Sequence, residues 1–263
     1  MASTNRHVLV AGGTSGINLG IAEAFAKNGD KVSVFSRSQD KVDAAVEKLK
    51  GHGASAHGGT ADVRDPEAVQ AVLKAAVEAH GPIDVLVSGA AGNFLAPAVA
   101  LSSNAFGSVV GIDLNGTFHV LRFAFEHLTK PGASIINISA PQAFLPMVAQ
   151  SHVCAAKAGV DMLTKTLAME WGPAGVRVNS LVPGPIDGTE GMKRLADPKT
   201  KERLAKTVPL QRLGTPEDCA DVAVFLASDA ARYVSGAIVP VDGGWSLGGA
   251  SAAMAYMAGG GRG

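Results

Sequence analysis

The sequence predicts an α/β fold: one Rossmann-type, doubly wound parallel sheet of seven strands with helices on both faces. Three observations predict it. Short apolar runs of strand length alternate along the chain with longer segments of helical period, a pattern that puts a parallel sheet between two helical layers. A glycine-rich turn joins the first run to the first helical segment. Hydrophobic content is 47% against 17% charged residues over 263 residues, enough material for a large buried core.

The strands follow in order. HVLVAG at 7–12 is the first, KVSVFS at 31–36 the second, and the weaker SAHGGTADV at 55–63 the third. IDVLVSG at 83–89, SIINIS at 134–139, VRVNSLV at 176–182 and AIVPVDGG at 237–244 complete the seven. Between them, segments such as IAEAFAKNG, KVDAAVEKLKGHG and PEAVQAVLKAAVEAHG carry apolar residues at helical spacing and end on glycines suited to helix C-caps. No composition break divides the chain before Gly243, so residues 1–263 are expected to form a single domain. The stretch 247–263, rich in Gly, Ala and Met, is expected to be a flexible or subunit-contacting tail.

Charge narrows the function. Lys plus Arg and Asp plus Glu stand at 23 each with no block of one sign, which argues against nucleic acid and acidic membranes as partners. The N-terminal apolar run is too short for a membrane span or a signal-peptide core. The two cysteines, Cys154 and Cys219, have neither disulfide-framework nor metal-ligand spacing. A reducing, cytoplasmic setting is therefore expected, with no metal.

The cofactor end is the turn Gly12-Gly13-Thr14-Ser15-Gly16-Ile17 between the first strand and its helix. Such a turn brings backbone N–H groups to a pyrophosphate, whose charge the helix N-terminus favours. At the end of the second strand, Ser36-Arg37-Ser38 stands where a binder of unphosphorylated dinucleotide offers a carboxylate to the ribose. Arg37 suits a 2′-phosphate instead, so NADP is expected. Asp62, past the third strand, is a candidate for the adenine.

Together with Ser88-Gly89-Ala90-Ala91-Gly92, Lys157 and Pro183-Gly184-Pro185-Ile186, these motifs make residues 6–246 resemble the short-chain dehydrogenase/reductase family. The resemblance implies a homotetramer, a nicotinamide-ribose contact for Lys157, and cofactor contacts for Pro183, Gly184, Pro185, Ile186 and Thr189. It also exposes departures. Asn18 replaces the last glycine of the fingerprint, and Ser88-Gly89 replaces an Asn-Asn pair. Val153 stands at the catalytic tyrosine, four places before Lys157, and Ala140 at the catalytic serine. One branch of the family also lacks that tyrosine, the 2,4-dienoyl-CoA reductases. The chain resembles its peroxisomal type at Ala90-Ala91-Gly92-Asn93-Phe94-Leu95, at Leu101-Ser102-Ser103-Asn104-Ala105-Phe106 and from Pro183 to Gly191; lacking a peroxisomal ending, it points to a bacterial relative.

A simple ketone needs a positioned acid to receive hydride on carbon and a proton on oxygen, and Val153 cannot serve. In a 2,4-dienoyl thioester hydride can enter at C5 while charge flows to the thioester oxygen, a step that needs hydrogen-bond donors around a dienolate. Taken alone, Lys157 reads as a surface lysine paired with Asp161 one turn later; the surrounding motifs reverse that. In Asp113-Leu114-Asn115-Gly116-Thr117, Asn115 resembles the supporting asparagine of the family, and Asp113 matches an acid used near the thioester. Residues two apart share no helical face, so both act directly only if the helix is distorted. Asn115 is placed first, and Asp113 second as proton source or water-orienting group. His152 is expected to face away from the vacant corner, with Ser139 and Gln142 in reserve. For the acyl-CoA, the resemblance implies contacts from Arg64, Phe94, Ser102, Ser103, Asn104 and Arg194, with a lid running to about Lys206. Two other readings stay open: reduction of another conjugated thioester such as a 2-enoyl-CoA, and a non-catalytic NADP-binding sensor or scaffold.

Overall fold

The computed structural model describes residues 5–189, 192 and 197–248. Seven parallel strands, β1 (His7–Ala11), β2 (Lys31–Ser36), β3 (Ala56–Thr60), β4 (Val85–Ser88), β5 (Ser134–Ile138), β6 (Arg177–Pro183) and β7 (Ile238–Val241), form one sheet. Its spatial order is β3-β2-β1-β4-β5-β6-β7. The direction of winding reverses between β1 and β4, and a crevice opens at the carboxyl ends of the strands beside such a reversal.

Both faces are covered because both carry apolar side chains. Along β1, Val8 and Val10 join a core with Ile21, Phe25, Val34, Leu181 and Leu226. Leu9 and Ala11 alternate to the other face, with Leu73, Leu86, Leu121 and Ile135. Each large buried side chain contributes about 1.5–3 kcal/mol. On the first face lie α1 (Gly16–Lys27), α2 (Gln39–Gly51) and α8 (Pro216–Leu226); on the second lie α3 (Pro66–His80), α5 (Gly116–Ala124) and part of α6 (Ser151–Trp171).

Local chemistry sets the helix starts. The Asp65 carboxylate accepts from Glu67 N and Ala68 N ahead of Pro66 on α3. Thr215 and Asp218 form a reciprocal capping box on α8. Two short bonds from Arg212 pull the Asp218 carboxyl down to about 2. α4 (Ser103–Val110) and α5 are joined without a break by a π-helical turn, Gly111–Asn115. That turn distorts the helix at Asp113 and Asn115. A further α-helix, α7 (Pro198–Thr207), comes after β6 in the chain.

Candidate active site

The cofactor cradle is built by glycines that β1 delivers to the crevice. Gly12 has φ 73°, and a Cβ there would lie 3.0 Å from the Ala90 backbone; at Gly13 it would meet Val34 at 2.8 Å. Gly16 opens α1 at φ 55°. A crevice of about 270 Å³ follows, lined by Gly12, Thr14, Ser15, Asn18, Arg37, Ser38, Lys41 and Asp62 among others. Backbone N–H groups at a helix N-terminus, with cations at the far end, fit a dinucleotide phosphate chain. Lys41, in the first turn of α2, is a second cation that the sequence reading missed.

Asn18 resolves one departure with another. Its Nδ2 donates to Gly89 O at 2.7 Å and to Gly12 O at 3.4 Å. The side chain fills the space where a Cβ on residue 89 would stand. Glycine at 89 and asparagine at 18 thus belong to one arrangement that ties α1 to the end of β4.

Asp62 and Arg64, expected to serve different ligands, are bonded to each other. Arg64 Nε donates to Asp62 Oδ1 at 3.0 Å and Nη2 to Oδ2 at 2.6 Å. The guanidinium holds the Asp62 carboxyl below its usual range, and the carboxylate raises Arg64 in turn.

The reacting end centres on Lys157. It is 5% exposed, so it is no surface lysine. Its Nζ donates to Ile138 O at 3.0 Å and lies 3.4 Å from Asp113 Oδ2. Asp113 is 1% exposed, and its Oδ1 accepts from Gly92 N at 2.7 Å. The partner of Lys157 is thus Asp113 across the fold, not Asp161 on its own helix. Burial pushes the Asp161 carboxyl up, against the pull of the Ser139 and Ser180 hydroxyls and of Lys157. Thr117 Oγ1 donates to Asp113 O within the widened turn, satisfying a carbonyl at the π segment.

The expected ranking of the two helix residues is corrected. Asn115 is exposed, and among the described residues its side chain has no hydrogen bond, whereas Asp113 is the one turned inward. The π turn adds a residue per turn and so sets which side chain faces Gly92 and Lys157. Val153 is buried and apolar at the corner expected to be vacant.

The loop after β4 is pinned residue by residue. Gly92 N is held by Asp113, Asn93 Oδ1 accepts from Gln150 Nε2 at 3.0 Å, and Ala96 N donates to Ala149 O. Gln142 Nε2 donates to Gln150 Oε1, so this reserve candidate supports the loop. Asn93, beside Asp113 through its neighbour Gly92, is a polar group of this site that the sequence reading quoted without a role. Phe94 is 40% exposed and packs on His152, ring centroids 4.5 Å apart. Ser139 is buried, its hydroxyl near the Asp161 carboxyl but without a well-formed hydrogen bond among the described residues. Ser102 accepts from Ala105 N as the N-cap of α4, while Ser103 and Asn104 are exposed beside it. Arg194 lies outside the described residues.

After β6, which ends at Pro183, Gly184 packs so closely on Asp242 that a Cβ would lie 2.6 Å from it. Thr189 turns back over Gly16, 3.7 Å from the position of a Cβ there. Pro185 and Ile186 line a separate cavity of about 500 Å³ with Val208, Leu210, Arg212 and Asp242. Ile17 packs against the core on the α1 face. No group of three or more His, Cys, Asp or Glu side chains among the described residues could hold a metal, and no described helix is long and apolar enough to cross a membrane.

A dinucleotide cradle leading to a buried lysine fits a nicotinamide oxidoreductase, and comparisons with known proteins agree. The family described as enoyl-(acyl carrier protein) reductase matches residues 11–246. The peroxisomal 2,4-dienoyl-CoA reductase [(3E)-enoyl-CoA-producing] of Rattus norvegicus is 46% identical over 238 residues, covering 89% of this chain and 82% of its own. A probable 2,4-dienoyl-CoA reductase [(2E)-enoyl-CoA-producing] of Bacillus subtilis (strain 168) is 39% identical over 241 residues, 90% of this chain and 95% of its own. An actinorhodin polyketide ketoreductase variant, crystallised with NADPH, superposes with a TM-score of 0.86 at 28% identity, covering 94% of this chain and 99% of its own. The chain is an oxidoreductase that uses a nicotinamide cofactor, and it belongs to the short-chain dehydrogenase/reductase family, with 2,4-dienoyl-CoA reductases among its relatives.

Proposed function

We propose that this enzyme reduces 2,4-dienoyl-CoA thioesters with NADPH, in the degradation of unsaturated fatty acids. One observation carries the reading: a buried lysine–carboxylate pair stands beside a buried valine where a ketone reductase needs an acid. Such a site can stabilise and orient charge, yet among the described residues it offers no phenol to protonate a carbonyl oxygen as hydride arrives. A conjugated thioester removes that need, because its charge is delocalised to an oxygen that hydrogen-bond donors can hold.

When bound, the nicotinamide cofactor supplies the hydride. Lys157 gives one N–H to Ile138 O and is paired in charge with Asp113, and a remaining N–H is the one assigned to the nicotinamide ribose. Asp113 balances the lysine's charge and fixes Gly92, and is assigned to orient the water that protonates carbon. Arg37 and Lys41, with no carboxylate at the end of β2, support NADPH over NADH. Arg64, Phe94, Ser103 and Asn104 are assigned to the CoA arm, along with Ser102 and Arg194.

We read the enzyme as a cytoplasmic homotetramer. The free thiols support a reducing compartment, and the exposed Phe118, Met162 and Met169 on α5 and α6 support a subunit interface. The test is a substrate panel. Purified protein should oxidise NADPH with a 2,4-dienoyl-CoA and leave a 3-ketoacyl-CoA untouched. Turnover of the ketone with none of the diene overturns the proposal, and turnover of a 2-enoyl-CoA alone would assign the other conjugated substrate.

A further inference from the structure

His152 is wholly buried, and among the described residues neither ring nitrogen has a hydrogen-bond partner. Few native side chains are left so; a buried polar group normally finds a partner in the protein or in what the protein binds. An imidazole carries a donor on one nitrogen and, when neutral, an acceptor on the other. No part of the fold described above uses either.

Its surroundings say where a partner would come from. His152 lies on the first turn of α6 next to Val153, the apolar side chain at the missing-tyrosine position. Its ring is covered by Phe94, tilted 36° at 4.5 Å, and Phe94 is itself 40% exposed. The backbone on either side of Phe94 is anchored: Gly92 to Asp113, Asn93 to Gln150, Ala96 to Ala149. The aromatic side chain against the imidazole is therefore partly open to solvent on a loop whose main chain is anchored, and a rotamer change of Phe94 would open that face of the ring without moving the main chain. Helix geometry points His152 about 100° from Val153 and about 140° from Lys157, toward the loop and away from the cofactor side.

We propose that His152 is a catalytic hydrogen-bond donor to the thioester carbonyl of the bound substrate, uncovered when the acyl arm displaces Phe94. It rests on the dienoyl-thioester reading above and deepens it. As hydride reaches the diene, the electron pair of the attacked double bond moves through the conjugated system onto the thioester oxygen. The imidazole N–H stabilises that oxygen and keeps its own proton, and carbon is protonated afterwards from water. Such a donor holds the charge that develops during reaction more strongly than the ground-state carbonyl, so its removal lowers kcat far more than it raises KM.

The test uses His152→Phe, which fills the space and keeps a ring against Phe94, beside His152→Gln and His152→Asn, which restore an N–H. With a 2,4-dienoyl-CoA and NADPH, H152F should lose about a hundredfold in kcat with KM within about threefold, and at least one amide variant should recover tenfold or more. The infrared band of a carbonyl-labelled 2,4-dienoyl-CoA bound without reductant should lie at lower frequency on the unaltered protein than on H152F. An unchanged kcat and carbonyl band in H152F overturn the inference, as does a loss that neither amide variant recovers while melting temperature and NADPH affinity stay unaltered. Failure of the unaltered protein to bind or reduce the diene overturns the dienoyl reading, and this inference with it.

Discussion

Asp113 shows how much one side chain can hold at once. Its carboxylate faces Lys157 and accepts from Gly92 N, and its carbonyl accepts from Thr117. Asp113→Leu would leave a buried ammonium without its counter-charge, and breaking a buried pair in this way costs about 3–5 kcal/mol. Urea denaturation should record that loss, with Asp113→Asn retaining part of the stability through the Gly92 contact. Asn18 and Gly89 allow a cleaner test. Gly89→Ala forces the Asn18 amide off its bond to residue 89, whereas adding Asn18→Gly clears the space. The double variant should be more stable than Gly89→Ala alone by about 1 kcal/mol or more, as is usual for contacting pairs; equal stabilities would dissolve the coupling. Neither partnership is legible from adjacency, since 71 positions separate Asn18 from Gly89.

At the scale of elements, the π turn is held open by packing. A Cβ on Gly116, where the turn passes into α5, would lie 2.5 Å from Val63. Gly116→Ala should therefore destabilise by about 1–3 kcal/mol and lower turnover together, because the same turn aims Asp113. The opposite end of the sheet carries a different device. His7 Nδ1 donates to Gly81 O, and its Nε2 accepts from Ser33; Ser33 also meets His80 Nδ1, and His80 Nε2 meets Ser55. Burial lowers His7 and brings His80 down to about 4 from 6.5. The unfolded chain therefore binds protons that the native one does not between those values. This contribution is complete above pH 6.5 and is lost as pH falls toward 4. With allowance for the partial exposure of His80, it is about 1–3 kcal/mol. His80→Gln should flatten the fall in melting temperature across that window, and an unchanged slope would remove His80 as its cause.

At the scale of the molecule, binding and stability are linked: a ligand held only by the native state at a hundred times its Kd stabilises by about 2.7 kcal/mol. NADPH should raise the melting temperature accordingly. Replacing Arg37 and Lys41 with alanine should abolish the shift with NADPH while sparing that with NADH; equal losses would remove the 2′-phosphate argument. Sedimentation should show four copies in the proposed assembly, and a monomer would refute it. The sequence by itself determined the strand sequence, the glycine turn, the relatives and the missing tyrosine, because periodicity and turn chemistry are local and survive in one dimension. Only the tertiary structure decided that Asp113 and not Asn115 is turned inward, that Lys157 pairs across the fold, that Asp62 holds Arg64, and that Phe94 packs on His152. Those choices depend on helix type and on contacts between distant segments, where the winner is set by what space the packed neighbours leave.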